Sequence, residues 1–211
     1  MSGKKKPRNK NLKLFQKVAK LEQLVYPGVD WKTKDTKAIS ANIANTPYQN
    51  YPMFALGQGT ADNQRTGDHV SLRHGTLHLS LTRGDTSNII RVLLVKTPSA
   101  TYAGLSDVLE YHDVSTDGDL VFSSPYQTHA TNNEQTYQIL FDKVYQLKND
   151  MSTVVDKVKI KLPKKGISCD FVGTSVIQPN NYNVSLLIIS DSTAAPHPKA
   201  SYVMRWKFID L

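Results

Sequence analysis

The chain has only one cysteine among its 211 residues, and it has no long apolar run. A disulfide needs two cysteines, so Cys169 forms no intrachain bridge, and a lone thiol fits a reducing compartment. Because Cys169 lies among strand-forming residues, we interpret it as a packing residue rather than a nucleophile. No stretch approaches the roughly 20 apolar residues of a membrane helix. The basic start is not followed by the apolar region of a secretory signal. We therefore expect neither membrane insertion nor secretion.

Motifs of common enzymes are also missing from the sequence. It contains no C-x-x-C, H-E-x-x-H, G-x-S-x-G or phosphate-loop pattern. Three histidines, His69, His74 and His78, lie close together in the chain. Zinc would need a further ligand in a defined geometry, so we do not predict a metal site there. The sequence thus predicts no enzymatic activity, no cofactor and no metal.

Acidic side chains are absent from the first twenty residues, which carry eight basic ones. These are Lys4, Lys5, Lys6, Arg8, Lys10, Lys13, Lys17 and Lys20. The whole chain has 26 basic and 18 acidic residues, so residues 21–211 hold 18 of each and the net charge of +8 lies in this arm. Phosphates attract charge density without requiring sequence-specific geometry, so we predict that the arm binds nucleic acid. Its KKKPRNK run also matches a nuclear import signal, the alternative being a plain solvated tail.

The predicted arm, residues 1–27, contains two parts. Residues 2–11 are polar, include the helix breaker Pro7, and should be disordered without a partner. A short amphipathic helix follows, with one apolar stripe formed by Leu14, Val18, Leu21 and Val25. A stripe this narrow needs a partner surface. The candidates are the protein's own body, a membrane surface, or neighbouring arms beside nucleic acid. We favour neighbouring arms, because a membrane helix would carry larger apolar anchors.

Residues 28–211 form the predicted body, in which 28–57 is an extended lead-in. Most of the remainder shows strand periodicity, with one helix at 102–111 and a bulge at Gly75 where the buried face changes parity. The predicted strands are 70–81, 88–96, 119–123, 135–147, 154–162, 167–173, 182–190 and 201–209. Closely spaced strands without alternating helices predict an all-β fold, an eight-stranded antiparallel jelly-roll sandwich.

One predicted strand carries a second group of lysines. Residues 154–162 place Val158, Ile160 and Leu162 on one face, and the other face holds Lys157, Lys159 and Lys161. One interpretation is a half-buried strand with a solvated lysine face. The other is a weaker, ordered phosphate-contacting surface, extended by the nearby Lys164 and Lys165.

Residues 57–72 read GQGTADNQRTGDHVSL and lead into the first predicted strand. They resemble the start of the coat domain in capsid proteins of small circular single-stranded DNA viruses that encode a replication initiator (CRESS-DNA viruses), and are similar to the satellite tobacco necrosis virus coat. The shared pattern, Q-G-x-x-x-N-Q-R-x-G-x-x-[IV], is matched by Gln58, Gly59, Asn63, Gln64, Arg65, Gly67 and Val70. The stretches NIIRVLLV (88–95) and QILFDKVYQL (138–147) also agree, so the resemblance spans roughly residues 57–211.

The resemblance implies a virion protein that self-assembles into a small icosahedral shell, with T=1 symmetry and sixty subunits. It implies that the basic arm packages single-stranded nucleic acid, DNA in preference to RNA, with a host-nuclear stage as an option. It does not indicate the host receptor. Arg65 would be structural or interfacial rather than a base-reading residue. The alternative function is a non-viral oligomeric jelly-roll binding module, lectin-like or chaperone-like, with a basic tail.

Overall fold

In the computed structural model, residues 31–98, 102–127 and 137–211 are described, and they form nine strands and three one-turn helices. The strands are β1 (Lys32–Asn42), β2 (Tyr48–Asn50), β3 (His69–Thr82), β4 (Asn88–Thr97), β5 (Gln138–Leu147), β6 (Thr153–Ile160), β7 (Ile167–Asp170), β8 (Asn183–Ser190) and β9 (Lys199–Asp210). The helices are α1 (Leu105–Val108), α2 (Val114–Asp117) and α3 (Leu120–Ser123). All of these elements belong to one unit, Trp31–Leu211.

The strands form two antiparallel sheets with jelly-roll order. The first sheet runs β1-β9-β3-β6 and the second β2-β8-β4-β5, the interleaved arrangement of two Greek keys. This confirms the predicted all-β sandwich, but the strand number is nine rather than eight. Two of the nine, β1 and β2, were not predicted, and the predicted strand at 119–123 is helical, so seven observed strands match predicted ones. One position beside β3 is divided between two of these seven. There β6 pairs with Gly75–Thr82 and β7 with His69–Leu72, and a turn closed by the hydrogen bond from Gly166 N to Pro163 O separates them.

The core between the sheets is built by strands that alternate buried and exposed residues. In β9 the buried members include Tyr202, Met204, Trp206 and Phe208. The Trp206 indole N–H donates to the Met53 carbonyl at 2.8 Å, which fixes the ring in the core. Its ring lies against Gly75, where an added Cβ would come within 2.3 Å of the indole. Gly75 is therefore required by packing.

The predicted change of face in β3 is present. Val70 and Leu72 are buried before the change, and Leu77, Leu79 and Leu81 are buried after it. The register between β3 and β9 shifts between Leu72 and His74, so the extra residue is Arg73 rather than Gly75. A bulge turns the following side chains over, and this brings both apolar sets into one core.

The predicted lead-in contains two strands that the sequence analysis missed. Strand β1 pairs with β9 along most of its length, and β2 pairs with β8. Positions of β1 that pack towards the core include Thr36 and Ala38, and the Thr36 hydroxyl donates to the Met53 carbonyl at 3.0 Å. Hydrogen bonding to β9 therefore makes β1 a strand although it lacks an alternating apolar pattern.

Two predictions fail in the segment between β4 and β5. The predicted strand at 119–123 is helix α3, and the predicted helix at 102–111 is reduced to the single turn α1. The segment packs on the outer side of the second sheet through apolar residues, which include Ala103, Leu105, Val108, Leu109 and Val121. A short apolar run of this kind does not distinguish a strand from a buried helical turn.

The Arg65 side chain is completely buried and holds two loops together. Its guanidinium lies 4.5 Å from the centre of the Phe171 ring. Its acceptors, at 2.6–3.0 Å, are the carbonyls of Gly67, Gly173 and Val176 and the carboxylate of Asp68. Arg65 thus has a structural role within the body.

Cys169 is also buried in the core, as its interpretation as a packing residue requires. Burial raises the pKa of its thiol to about 12. The thiol is therefore protonated at neutral pH, whereas nucleophilic chemistry needs the thiolate.

Candidate nucleic-acid interface

The first sheet turns a strongly basic surface away from the second sheet. Residues that alternate with the core side chains of β1, β3, β6 and β9 point outward, and Lys161 follows directly after β6. We call this surface the basic face. Its cationic members are Lys37, Lys157, Lys159, Lys161, Lys199, Arg205 and Lys207, all of them exposed.

Strand register places these residues in rows across the sheet. Lys157 is paired with His78, His78 with Val203, and Val203 with Lys37. The next row contains Lys159, Thr76, Arg205 and Asp35. Neighbouring strands lie about 4.8 Å apart, so residues distant in the chain form one continuous charged surface.

The charges on the basic face are largely uncompensated. Among its outward-facing strand residues Asp35 is the only acidic one, and the Arg205 guanidinium binds it through two hydrogen bonds of 2.8 and 2.6 Å. Arg205 holds the pKa of Asp35 below its usual value, so this carboxylate stays ionised. The six lysines form no ion pair with any residue that the structure describes. Unpaired cations on an ordered sheet suit an extended polyanion.

A shallow apolar groove crosses the middle of the basic face. Ile39 and Val155 are 77% and 78% exposed and line it together with Val203. Lys37 and His78 border the groove. The basic face therefore offers contact for apolar groups as well as for phosphates.

The three clustered histidines lie in different surroundings. His69 Nδ1 is 2.9 Å from a carboxylate oxygen of Asp170, His74 stacks on Trp31, and His78 lies in the row of Lys157. Within the described ranges, no group of three or more histidine, cysteine, aspartate or glutamate side chains could hold a metal ion.

The outer side of the second sheet is covered rather than bare. Arg91 of β4 holds the covering segment: one of its nitrogens donates to the carbonyls of Val121 and Ser124 at 2.7 and 3.1 Å. The same guanidinium binds Asp142 of β5 at 2.7 Å, and Asp142 also accepts from the Tyr126 hydroxyl at 2.7 Å. Burial, together with this bond to Asp142, raises the pKa of Tyr126 to about 12. In the described part of the chain, the second sheet is thus covered on its outer side, whereas no described residue covers the basic face.

The predicted site residues divide into two groups. Lys157, Lys159 and Lys161 are exposed on the outer side of an edge strand, as their alternation indicates, and Lys164 and Lys165 lie in the turn between β6 and β7. The arm residues Lys4, Lys5, Lys6, Arg8, Lys10, Lys13, Lys17 and Lys20 lie outside the described residues, as does the predicted arm helix.

The other four cations of the basic face were not predicted from the sequence. These are Lys37, Lys199, Arg205 and Lys207. The alternation in SYVMRWKF (201–208) was a usable signal, because Arg205 and Lys207 occupy the exposed positions between buried residues. Nothing comparable marks Lys37, because β1 has no apolar period.

The strand order defines the class of protein: the body is an antiparallel jelly-roll sandwich. In the part of the chain that the structure describes, no helix has the length and apolar character needed to cross a membrane.

No protein-family model and no curated protein sequence matches this chain. Two of the solved structures that match this chain are structures of viruses. The structure of desmodium yellow mottle tymovirus is 11% identical in sequence and has a TM-score of 0.37. The match covers 84% of this chain and 85% of the tymovirus chain. The structure of Triatoma virus is 11% identical in sequence and has a TM-score of 0.32. The match covers 85% of this chain and 61% of the Triatoma virus chain. The fold assignment itself rests on the strand order.

Proposed function

We propose that this protein is a viral capsid protein that assembles into a closed icosahedral shell around single-stranded nucleic acid. The observation that carries the proposal is the division of charge: an arm of eight basic residues precedes a jelly-roll body, residues 28–211, whose 18 basic and 17 acidic residues nearly balance. The resemblance of residues 57–72 to the start of viral coat domains supports the same role. The role is structural rather than enzymatic.

The arm supplies the main attraction for the genome. Its lysines act as interchangeable point charges, so packaging depends on their number more than on any single residue. In a shell of sixty copies the arms would hold on the order of 500 positive charges. The basic face, with Lys157, Lys159 and Lys161, is a weaker and ordered second contact. We propose DNA rather than RNA as the packaged polymer.

The nearly neutral body favours assembly. Subunits whose bodies carry almost no net charge can pack side by side with little long-range repulsion, while the arms are neutralised by phosphate. We propose T=1 symmetry, a location in the virion, and assembly that includes a nuclear stage of the host cell, for which the KKKPRNK run would serve as the import signal.

Electron microscopy of the purified full-length chain tests the proposal. We expect uniform closed shells of about 20 nm, the size that sixty jelly rolls of this length would form. The ultraviolet absorbance ratio of the same fraction should show nucleic acid, which deoxyribonuclease but not ribonuclease digests after extraction. Small oligomers without nucleic acid across a range of salt would overturn the proposal and favour a jelly-roll binding module for soluble ligands.

Deletion of residues 1–20 tests the role of the arm. We expect the shortened chain to keep the sandwich fold, measured by circular dichroism, but to lose co-purifying nucleic acid. Replacement of all eight basic arm residues by glutamine is the matched control, because it removes charge at constant length. If the shortened chain retained stoichiometric nucleic acid, the arm would not be the packaging element, and the basic face would take its place.

A further inference from the structure

Trp31 is an exposed aromatic side chain beside the basic face. The chain has two tryptophans, and they differ completely in environment. Trp206 is 0% exposed in the core, whereas Trp31 is 52% exposed immediately before β1. A large indole left half open to water is a common mark of a contact site, because its apolar ring gains free energy when a partner covers it.

The Trp31 ring is held in a stack with His74 of β3. The two ring centres are 5.7 Å apart, and the planes differ by 24°. His74 is paired with Lys207 of β9, which is in turn paired with Thr33 of β1. The stack therefore lies within the end row of the basic face rather than on a separate surface.

Cations flank the stack on neighbouring strands. Lys207 lies directly across from His74, and Lys161 follows Ile160, which pairs with Gly75 next to His74. Both lysines are exposed, and neither has an ion-pair partner among the described residues. At the strand spacing of about 4.8 Å, these ammonium groups lie within reach of one ligand that also contacts the rings.

We propose that Trp31 and His74 form a stacking site for an unpaired nucleobase, and that Lys207 and Lys161 contact the adjoining phosphates. Single-stranded nucleic acid combines the two chemistries that the site offers, flat aromatic faces and a regular series of negative charges. A duplex does not fit, because its bases are enclosed in the helical stack. This inference rests on the proposed function for its ligand class, but it adds a base-contacting site on the body itself.

The two tryptophans make the site measurable in the full-length chain. Trp206 is shielded in the core, so a change of tryptophan emission on ligand addition reports Trp31. The chain is freed of nucleic acid at high salt and titrated with a labelled single-stranded thymidine oligonucleotide. Parallel titrations use an abasic deoxyribose-phosphate oligomer of equal length and a duplex. Fluorescence anisotropy of the label measures binding, and tryptophan quenching measures stacking.

We expect the thymidine oligonucleotide to bind and to quench, and the abasic oligomer and the duplex to bind without quenching. Binding of all three without quenching, or equal quenching by all three, would overturn the stacking site and leave the proposed function intact. If none of them bound, both proposals would fail.

Substitutions sharpen the test. Trp31→Ala should weaken thymidine-oligonucleotide binding about tenfold, within the range known for base–aromatic contacts, and leave abasic-oligomer binding unchanged. Trp31→Phe should retain most of the affinity, because a phenyl ring also stacks. The matched control is Tyr111→Ala, which removes a ring that is 40% exposed in the segment covering the second sheet and should change neither affinity. Unchanged affinity in a folded Trp31→Ala variant would contradict the proposal.

Discussion

The two sheets of the sandwich treat their outer sides in opposite ways. The second sheet is covered by residues 102–127, and every residue of β8 is buried. Among residues 31–98, 102–127 and 137–211, none covers the outer side of the first sheet, and its strands β6 and β9 alternate between buried and exposed residues. The comparison shows that one fold can use one sheet for internal packing and keep the other as an open charged surface. The sequences differ accordingly: NVSLLIIS of β8 is largely apolar, whereas TVVDKVKI of β6 places lysines at alternate positions.

The largest effect is expected from removing the anchor of the covered sheet. Arg91→Ala leaves Asp142 without its guanidinium and leaves the carbonyls of Val121 and Ser124 without their donor. Breaking such a mostly buried pair costs about 3–5 kcal/mol in the free energy of unfolding, which urea denaturation would measure. As a control, Lys143→Ala removes a half-exposed pair with Asp156 and should cost less than about 1 kcal/mol. Equal losses in the two variants would contradict the anchoring role.

A smaller loss is expected from disturbing the inner side of the first sheet. Gly75→Ala would place a methyl group 2.3 Å from the Trp206 ring, which its hydrogen bond to Met53 holds in place. Overpacking of this kind costs about 1–3 kcal/mol. Gly57→Ala is the matched control, because nothing lies within 4 Å of the added Cβ. A Gly75→Ala variant as stable as Gly57→Ala would show that the indole moves freely.

The stability contributed by the contact between β5 of the second sheet and β6 of the first should depend on pH. Hydrogen bonds from Lys143 and Tyr145 of β5 keep the pKa of Asp156 of β6 below its ordinary value of 3.8. A lowered pKa in the folded state stabilises the protein above pH 3.8, and this contribution is lost as the pH falls through the folded-state value. In Asp156→Asn we expect a shallower acid limb in a plot of unfolding free energy against pH, a difference within about 1 kcal/mol. An unchanged acid limb would exclude the contribution.

The smallest effect on stability is expected from removing a charge of the basic face. Lys159→Gln should change the free energy of unfolding by no more than about 0.5 kcal/mol, as is usual at exposed positions. If Lys159 contacts a phosphate, the slope of log affinity against log salt for single-stranded DNA should fall by about 1. Lys148→Gln, an exposed lysine after β5, should leave that slope unchanged. Identical slopes in the two variants would remove Lys159 from the interface.

Much of the fold could be predicted from local patterns. Alternation identified β6, a continuous apolar run identified β4, and the change of parity in β3 indicated a bulge. The prediction failed where the conformation of a segment depends on contacts with another element that is distant in the chain. Strand β1 has no apolar period and exists because β9 pairs with it. The apolar residues of α3 predict a strand when read alone. In the structure they form a helical turn that packs against the second sheet.

The candidate site likewise contains some residues that local spacing predicted and others that only strand pairing brings together. Lys157, Lys159 and Lys161 were found because their spacing of two is a local property of one strand. Lys37 and Arg205 were not joined to them, because they lie far away in the chain and reach the same surface only through strand pairing. The stack of Trp31 on His74 likewise joins the residue before β1 to β3, and β1 and β3 are not neighbours in the sheet.

The sequence by itself determined the division of charge between arm and body, the buried or exposed parity of most strands, and the packing role of the lone thiol. These follow from residue type and short-range periodicity. The tertiary structure alone decided which sheet is covered, where Arg65 finds its acceptors, and which cations share the basic face. The physical reason is that hydrogen-bond register between distant strands sets those distances, and local periodicity contains no information about which strands will be neighbours.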